Sequence, residues 1–223
     1  MYCAIIGDIV DSKKIVNREE TQQKLHSLLR KLSEQYSKHV ASNFTITLGD
    51  EFQGLLLDTI YLIEIIDEIK MQMYPIEFRF GIGIGDIHTE VNKEIAIGAD
   101  GPAYHIARAC IDEIKEKDNK YEQVKQDIVI NSDEESQGLT FKMINAAFAQ
   151  CFFYEKNWSD KQREVVIRLM KEDVSQRAIA EDLGLTQSSV NRRISQSGFL
   201  VYQHLKLSAK NLINELWEAL IHE

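Results

Sequence analysis

The chain has 223 residues, of which 44% are hydrophobic and 27% charged, and its formal net charge is −9 at pH 7. This balance is typical of a globular protein with a packed core and excludes a disordered or collagen-like chain. No apolar run approaches the roughly 20 residues that cross a bilayer, and Asp8 interrupts the apolar stretch that a signal peptide would need. The cysteines lie far apart, which argues against a disulfide framework or a zinc site. We therefore expect a cytoplasmic protein with no membrane partner.

The first part of the chain alternates between strand-like and helix-like patterns. β-Branched apolar residues predict buried strands, and leucines or isoleucines at spacings of three and four predict amphipathic helices. Gly49-Asp50 is a two-residue turn pair between two such strands and predicts a hairpin. The predicted elements are strand 2–10, helix 17–39, strands 44–48 and 52–57, helix 60–73 and strand 76–84. This β-α-β-β-α-β order is that of a ferredoxin-like sheet.

A second group of elements follows this unit. The predictions are a strand at 85–90, a helix from 103 to about 117, a polar loop at 118–126, a strand at 127–131 and a helix from 141 to about 154. No proline- or glycine-rich linker divides the chain, and we place the domain boundary near residue 150. The predicted fold class is α+β, with a ferredoxin-like domain of the cyclase or palm type at 1–150 and an all-α helix-turn-helix domain at 151–223.

Charge is distributed unevenly between these two predicted domains. Residues 1–150 carry 16 Lys and Arg against 25 Asp and Glu, whereas residues 151–223 carry 10 of each. The stretch from Leu183 to Asn214 contains four basic residues and no acidic one. A locally cationic stretch in an acidic protein is a candidate contact surface for nucleic acid.

The segment Gln176–Ile194 has the pattern of a helix-turn-helix. Ala180 is small where two helices would approach, Gly184 can take the positive φ that a tight turn needs, and Thr186 can cap the second helix. Polar residues at the start of an exposed helix can read base edges in the major groove, and arginines can contact phosphates. The residues expected to bind double-stranded DNA are Gln187, Ser188, Ser189, Asn191, Arg192 and Arg193. The alternative is a plain helical hairpin with a solvated face.

A long C-terminal helix is predicted from Phe199 to Ile221. One side of this helix is an apolar stripe that consists of Leu205, Leu212, Ile213, Leu216, Trp217 and Leu220. Two interpretations remain open. The stripe packs within the chain, or it forms the seam of a homodimer that brings two reading helices to two half-sites.

Two aspartates are the candidate ligands of a metal ion. Asp8 ends the first strand and Asp50 lies in the hairpin turn, and in a β-α-β-β sheet the first strand lies beside the hairpin. Carboxylate oxygens placed in this way can hold Mg²⁺ or Mn²⁺ on the phosphates of a nucleotide. Further candidates for the phosphate or nucleotide site are Asp11, Ser12, Lys13, Lys14 and Glu51. The alternative is that Asp8 and Asp11 cap the turn into the helix and that Asp50 is ordinary turn chemistry.

Four segments of the chain together resemble a known superfamily. In chain order they are GDIVDS, LGDEFQGLL, RFGIGIGDIHTE and GADGPAYHIARA. They are similar to the landmark segments of class III nucleotide cyclases and, more distantly, to the palm domains of diguanylate cyclases. With its terminal helix-turn-helix included, the whole chain resembles the SatD family of bacterial proteins. The cyclase resemblance implies that Asp8 and Asp50 bind metal and that the backbone carbonyl of Ile9 also meets the metal.

The chain departs from the cyclase pattern at the residues for purine selection and at those for stabilisation of the transition state. Ile46 stands where a cyclase carries its purine-selecting lysine. The asparagine and arginine that stabilise the transition state would fall on His105 and Ala109, and Arg108 is one residue short of the arginine position. The catalytic candidates implied by the resemblance are therefore His105 and Arg108. The resemblance therefore implies that base selection and charge stabilisation are altered and that the metal site is retained.

Three functional hypotheses follow from these patterns. In the first, the protein is a DNA-binding regulator whose cyclase-like domain binds a nucleotide, or a related phosphorylated ligand, together with Mg²⁺. In the second, it is a nucleotidyl cyclase or nucleotidyltransferase with an accessory helix-turn-helix. In the third, the first domain is a scaffold for dimerisation.

Overall fold

The computed structural model describes residues 1–47, 49–120, 125–171 and 174–222, and within these ranges it contains five strands and eight α-helices. The strands are β1 (Tyr2–Ile9), β2 (Val40–Ile46), β3 (Glu51–Leu56), β4 (Phe78–Gly85) and β5 (Ile128–Ser132). The helices are α1 (Arg18–Gln35), α2 (Leu62–Met73), α3 (Pro102–Lys120), α4 (Gly138–Asn157), α5 (Asp160–Lys171), α6 (Gln176–Asp182), α7 (Gln187–Ser197) and α8 (Phe199–His222). No helix in the described ranges is both long and apolar enough to span a membrane.

The strands form one sheet in the order β2-β3-β1-β4-β5. β1 pairs antiparallel with both β3 and β4, and β2 pairs antiparallel with β3. The predicted hairpin and the predicted β-α-β-β-α-β order are therefore confirmed. α3 then crosses over the sheet and adds β5 parallel to β4, as a helical connection between parallel strands requires. The chain is a mixed α+β protein.

Alternate residues of β1 point to opposite faces of the sheet, and each face has its own core. On one face Cys3 and Ile5 pack with residues of α1, α2, α4 and α8. On the other face Ala4 packs with residues of α3. α3 lies directly on β4 because Gly81 and Gly83 have no side chain at the contact. A Cβ atom on either glycine would lie 2.1 Å from a backbone carbonyl oxygen of α3.

The strand predicted at 85–90 is wrong. The chain between β4 and α3 is irregular and crosses the hairpin of β2 and β3. The N–H of Asn43 donates to the carbonyl of Lys93 over 2.9 Å, and the side-chain amide of Gln53 donates to the carbonyl of Ala96 over 2.7 Å. The backbone of this segment is thus bonded to the hairpin at isolated points rather than in a ladder, and Ile87 and Val91 pack against the core between the sheet and α3.

The first residues of the polar loop predicted at 118–126 are helical instead. α3 continues as far as Lys120, and β5 begins at Ile128. Residues 121–124 of the predicted loop lie outside the described ranges.

The C-terminal helices are continuous with the core of the sheet. α4 passes without interruption through the boundary predicted near residue 150. The stripe of α8 is buried in the same core as the sheet, where it contributes Ile213, Leu216, Trp217 and Leu220, with Leu212 packed against them. The stripe therefore packs within the chain, and its interpretation as a dimer seam is wrong. The three helices α5 to α7 have a smaller core of their own, which the start of α8 completes with Phe199 and Tyr202.

A buried network of charges joins α2, α4 and α8. Lys70 pairs with Asp127 and with Glu155, and Lys206 pairs with Asp67. Burial raises the pKa of Asp67 and of Asp127. Burial acts in the same direction on Glu155, but the two lysines outweigh it and hold the pKa of that carboxyl below its usual value. The network ties the C-terminal helices to the sheet through oppositely charged groups.

Candidate functional site

Three charged residues lie side by side on neighbouring strands at one end of the sheet. Asp8 of β1 is in register with Glu51 of β3 and with Arg79 of β4. Side chains at alternate positions of a strand share a face, and Ala4 and Ile6 of β1 pack against α3, so Asp8 lies on that same face. Asp8 is 7% exposed and Glu51 is 5% exposed. Carboxylates buried to this extent need cationic partners, because the loss of hydration is costly.

The partners of Asp8 come from β4 and α3. One of its oxygens pairs with the Arg79 guanidinium and the other pairs with the Lys115 ammonium, each over 3.1 Å. Arg79 is also held by Asp118, near the end of α3, over 2.8 Å. The carboxylate of Asp8 is therefore compensated on both sides.

Arg108 of α3 holds the other buried carboxylate. Its guanidinium forms two hydrogen bonds with Glu51, from Nη2 to Oε1 over 2.6 Å and from Nη1 to Oε2. The hydroxyl of Thr47 donates to the same Oε1 over 3.2 Å. The hydrogen bonds with Glu51 raise the pKa of Arg108, so the guanidinium stays charged. Arg108 and Lys115 are two helical turns apart and share one side of α3, where their side chains are 42% and 40% exposed.

The hairpin aspartate lies next to this ionic cluster of Asp8, Glu51, Arg79, Arg108, Lys115 and Asp118. The N–H of Ile9 donates to the carbonyl of Asp50 over 2.9 Å, which places Asp50 beside the end of β1. The Asp50 carboxylate accepts a hydrogen bond from the hydroxyl of Ser12 over 2.6 Å. Asp11 has a positive φ of 53° and bonds Lys14 at the surface, and the hydrogen bond from Lys14 lowers the pKa of Asp11.

The structure brings some of the sequence candidates together and separates others. Asp8, Glu51 and Arg108 meet in the ionic cluster, with Asp50 and Ser12 beside them.

His105 and the lysines after β1 do not join the ionic cluster. His105 lies near the start of α3, and its ring pairs with Asp100 over 2.7 Å, with both side chains 67% exposed. Lys14 pairs with Asp11, and Lys13 is exposed.

Sequence reasoning missed Arg79, Lys115 and Asp118. Arg79 reaches Asp8 only through the register of β1 and β4, which residue patterns do not fix. Lys115 was detectable, because it lies two turns after the candidate Arg108 on a predicted helix.

As it stands, the ionic cluster does not fit a divalent cation. Its three carboxylates face three cationic groups, so its charges already balance. Among the described residues, no three His, Cys, Asp or Glu side chains are grouped so that they could hold a metal ion. An ion bound to Asp8 would have to displace Arg79 and Lys115. The metal-binding roles of Asp8, Asp50 and Ile9 stay a prediction, as does the need for Mg²⁺ or Mn²⁺.

α6, α7 and the turn between them form a second candidate surface. The side chain of Ser175 caps α6 by accepting from the N–H of Ala178 over 3.2 Å. Thr186 caps α7 in the same way, accepting from the N–H of Ser189 over 3.2 Å. Gly184 has the expected positive φ, 61°. The predicted cap and turn are confirmed.

The amino-terminal part of α7 presents a polar face to solvent. Its exposed residues are Gln187, Ser188, Asn191 and Arg192, and Ser189 is half-buried. Arg193 turns back toward α5, where it donates to the carbonyl of Lys161 over 3.2 Å and pairs with Glu164 over 3.5 Å. Arg193, one of the predicted DNA contacts, therefore does not project outward from α7 with the others, because its side chain completes the packing of α7 on α5.

Comparison with known proteins identifies one family, and two cyclases are among the solved structures that match. A family model described as the SatD family matches residues 2–213. No curated protein matches. Among solved structures, a bacterial light-regulated adenylyl cyclase is similar with 14% identity, a TM-score of 0.43, and coverage of 65% of this chain and 79% of that chain. The guanylyl cyclase Cya2 is similar with 15% identity, a TM-score of 0.34, and coverage of 48% of this chain and 67% of that chain.

Proposed function

The chain belongs to the SatD family, and from this premise we propose that it is a DNA-binding protein that reads duplex DNA with α7. The observation that carries the proposal is the exposed polar face at the amino end of α7, on a helix that is capped and packed on α5 and α6. A helix presented in this way can enter the major groove, where amide and hydroxyl side chains pair with base edges. Gln187 and Asn191 are the expected base contacts.

Ion pairs and burial together select one arginine for the phosphate backbone, since Arg163 of α5 is half-buried and donates to the carbonyl of Glu155. Three other arginines of α5 to α7 are neutralised by carboxylates, in the pairs Arg168–Asp182, Arg177–Glu181 and Arg193–Glu164. Arg192 is exposed and forms no ion pair with any residue in the described ranges. Its charge is therefore available to a DNA phosphate.

Gel-shift titration of the full chain with fragmented genomic DNA tests this proposal. Arg192→Gln should weaken binding to all fragments and reduce the salt dependence by about one counterion. Gln187→Ala combined with Asn191→Ala should reduce the preference among fragments. Arg177→Gln is the matched control, because Arg177 is an exposed arginine of α6 that is already paired. Equal losses in Arg192→Gln and Arg177→Gln would contradict the reading role of α7.

A second candidate function rests on the ionic cluster. The side chains of Arg108 and Lys115 are partly exposed on one side of α3, where their cationic ends pair with the buried carboxylates of Glu51 and Asp8. Guanidinium and ammonium groups placed together bind phosphate oxygens through charge-assisted hydrogen bonds. We propose that a nucleotide or a related phosphorylated molecule binds here. The enzymatic form of this proposal is a nucleotidyl cyclase or nucleotidyltransferase.

Pyrophosphate release from nucleoside triphosphates, with Mg²⁺ or Mn²⁺ present, tests the enzymatic form. Arg108→Gln and Asp50→Asn should abolish the release, whereas Arg30→Gln on the exposed side of α1 should leave it unchanged. Nucleotide binding without pyrophosphate release would exclude the enzyme and retain the binding site. Failure of every nucleoside triphosphate to bind would exclude both. Thermal unfolding of each variant verifies that the fold is intact.

A further inference from the structure

A cleft of about 810 Å³ lies between α3 and α4, beside the start of β5 and apart from both candidate sites. Its volume is within the range of roughly 300–1,000 Å³ that is typical of small-molecule sites. The charged residues of its lining are Lys117, Lys125, Lys142, Lys156 and Glu113. Four lysines against one glutamate make a locally positive site in a chain whose net charge is −9.

Two of these lysines have no carboxylate partner among the residues that the structure describes. Lys117 pairs with Glu113 over 2.6 Å, and Lys156 pairs with Glu77 outside the cleft. Lys125 and Lys142 are exposed, and neither forms an ion pair within the part of the chain that the structure describes. A concave surface lined by unpaired charges of one sign concentrates counter-ions of the opposite sign. The cleft is therefore suited to an anion.

A buried amide adds an independent indication of a ligand. Gln126 lines the cleft and is only 5% exposed, and its Nε2 has no hydrogen-bond partner among the described residues. Buried polar groups without partners are rare, because each loses its hydration without compensation. The neighbouring Asn145, by contrast, uses its amide fully: it donates to the carbonyl of Ile130 over 3.0 Å and accepts from the N–H of Ile130 over 2.9 Å. A hydrogen-bond acceptor on a bound ligand would supply the partner that the side-chain amide of Gln126 lacks.

An exposed aromatic ring lies on the same wall of the cleft. Phe153 of α4 is 60% exposed, and the ammonium of Lys156 lies 5.3 Å from the ring centre of the adjacent Phe152. Ala146 and Ala149 precede these rings on α4 and keep the wall open. An exposed ring next to cationic groups can stack on a flat aromatic group of a phosphorylated ligand.

We propose that this cleft binds a small phosphorylated polyanion that carries a flat aromatic group. Lys125 and Lys142 bind the phosphates, Gln126 donates to a ligand acceptor, and Phe153 stacks on the aromatic group. Inorganic polyphosphate and a nucleoside phosphate share the anionic chemistry, and only the latter can use Phe153. The site is distinct from α7 and from the ionic cluster, so it does not depend on either proposed function.

Calorimetric titration of the full chain with three probes tests the proposal, using sodium tripolyphosphate, ATP without Mg²⁺, and adenosine. ATP should bind more tightly than tripolyphosphate, and adenosine should bind at least ten-fold more weakly than ATP. Lys125→Gln combined with Lys142→Gln should weaken both anions at least ten-fold. Lys24→Gln combined with Lys31→Gln, on the exposed side of α1, makes the same change in net charge and should leave both affinities unchanged.

Two further variants separate the aromatic and amide contributions. Phe153→Ala should weaken ATP at least three-fold and leave tripolyphosphate unchanged. Gln126→Leu should weaken both anions and should also raise the melting temperature of the free protein, because it removes an unpaired buried N–H.

Three results would overturn the assignment. Equal affinity of ATP and tripolyphosphate would contradict the stacking of Phe153 on the aromatic group of the ligand. Equal effects of the Lys125/Lys142 and Lys24/Lys31 variants would show that binding follows net charge alone. Loss of ATP binding in Arg108→Gln, with full binding in the Lys125/Lys142 variant, would show that ATP binds at the ionic cluster and not in this cleft.

Discussion

Replacement of Lys206 by Met should destabilise the protein through a carboxylate that loses its cation. Lys206 is 7% exposed, pairs with Asp67 of α2, and also donates to the hydroxyl of Tyr202 over 2.7 Å. Removing one partner of a buried ion pair costs about 3–5 kcal/mol. For a chain of this length, each kcal/mol lowers the melting temperature by about 2–4 °C, so the expected decrease is roughly 6–20 °C. Chemical unfolding in urea gives the free energy directly.

The pH dependence tests whether a buried carboxylate causes the loss of stability, and a second substitution assigns that loss to Asp67. Burial already raises the pKa of Asp67, and Lys206 opposes this effect. Without Lys206 the folded-state pKa rises further above the unfolded value, so the folded state gains protons relative to the unfolded state as the pH falls. The deficit in stability of Lys206→Met should therefore be largest at neutral pH and shrink on acidification. Asp67→Asn added to Lys206→Met should recover about 1–3 kcal/mol.

Lys210→Met is the matched control for this prediction. Lys210 lies one turn later on α8 and pairs with Glu64, but these side chains are 24% and 40% exposed. A pair exposed to this degree contributes about 1 kcal/mol or less, since water compensates its loss. If Lys206→Met were no more destabilising than Lys210→Met, or if its deficit did not depend on pH, the reasoning from burial would be refuted.

Two further predictions concern the backbone. Gly83→Ala should lower the free energy of unfolding by about 1–3 kcal/mol, because the new Cβ would lie 2.1 Å from the carbonyl oxygen of Ala103 and α3 would have to move. Urea unfolding checks this result against Gly138→Ala, whose Cβ meets nothing within 4 Å; an equal effect in both would contradict the close packing of α3 on β4. Thr186→Ala should cost about 1 kcal/mol by removing the cap of α7. Thermal unfolding measures this loss, and an unchanged melting temperature would contradict the capping role.

The order of the main elements was predictable from the sequence because the signals are local. The turn pair Gly49-Asp50 between two apolar runs predicts the hairpin, and β2 and β3 do pair antiparallel. Thr186 and Gly184 predict a capped helix after a tight turn, and both take those roles. The strand predicted at 85–90 is wrong because Ile87 packs against the core between the sheet and α3 without belonging to a strand.

The partners of the charged residues could not be read from the sequence. Arg108 was a candidate, but its contact with Glu51 depends on how α3 lies over β3, and the contact of Asp8 with Arg79 depends on strand register. Arg193 shows the same effect, since its carboxylate partner comes from another helix, α5.

The sequence by itself determined most of the elements, the hairpin and the capped helix α7 after its tight turn, because these depend on residues close together in the chain. Only the tertiary structure decided which charges remain available for binding. Lys206 and Lys210 belong to a stretch without acidic residues, yet Asp67 and Glu64 of α2 neutralise them across the core. Lys125 and Lys142, by contrast, lie within the acidic residues 1–150 and meet no carboxylate in the described structure. The electrostatic energy of a charged group depends on its distance from other charges and on its burial. Neither is a property of the local sequence.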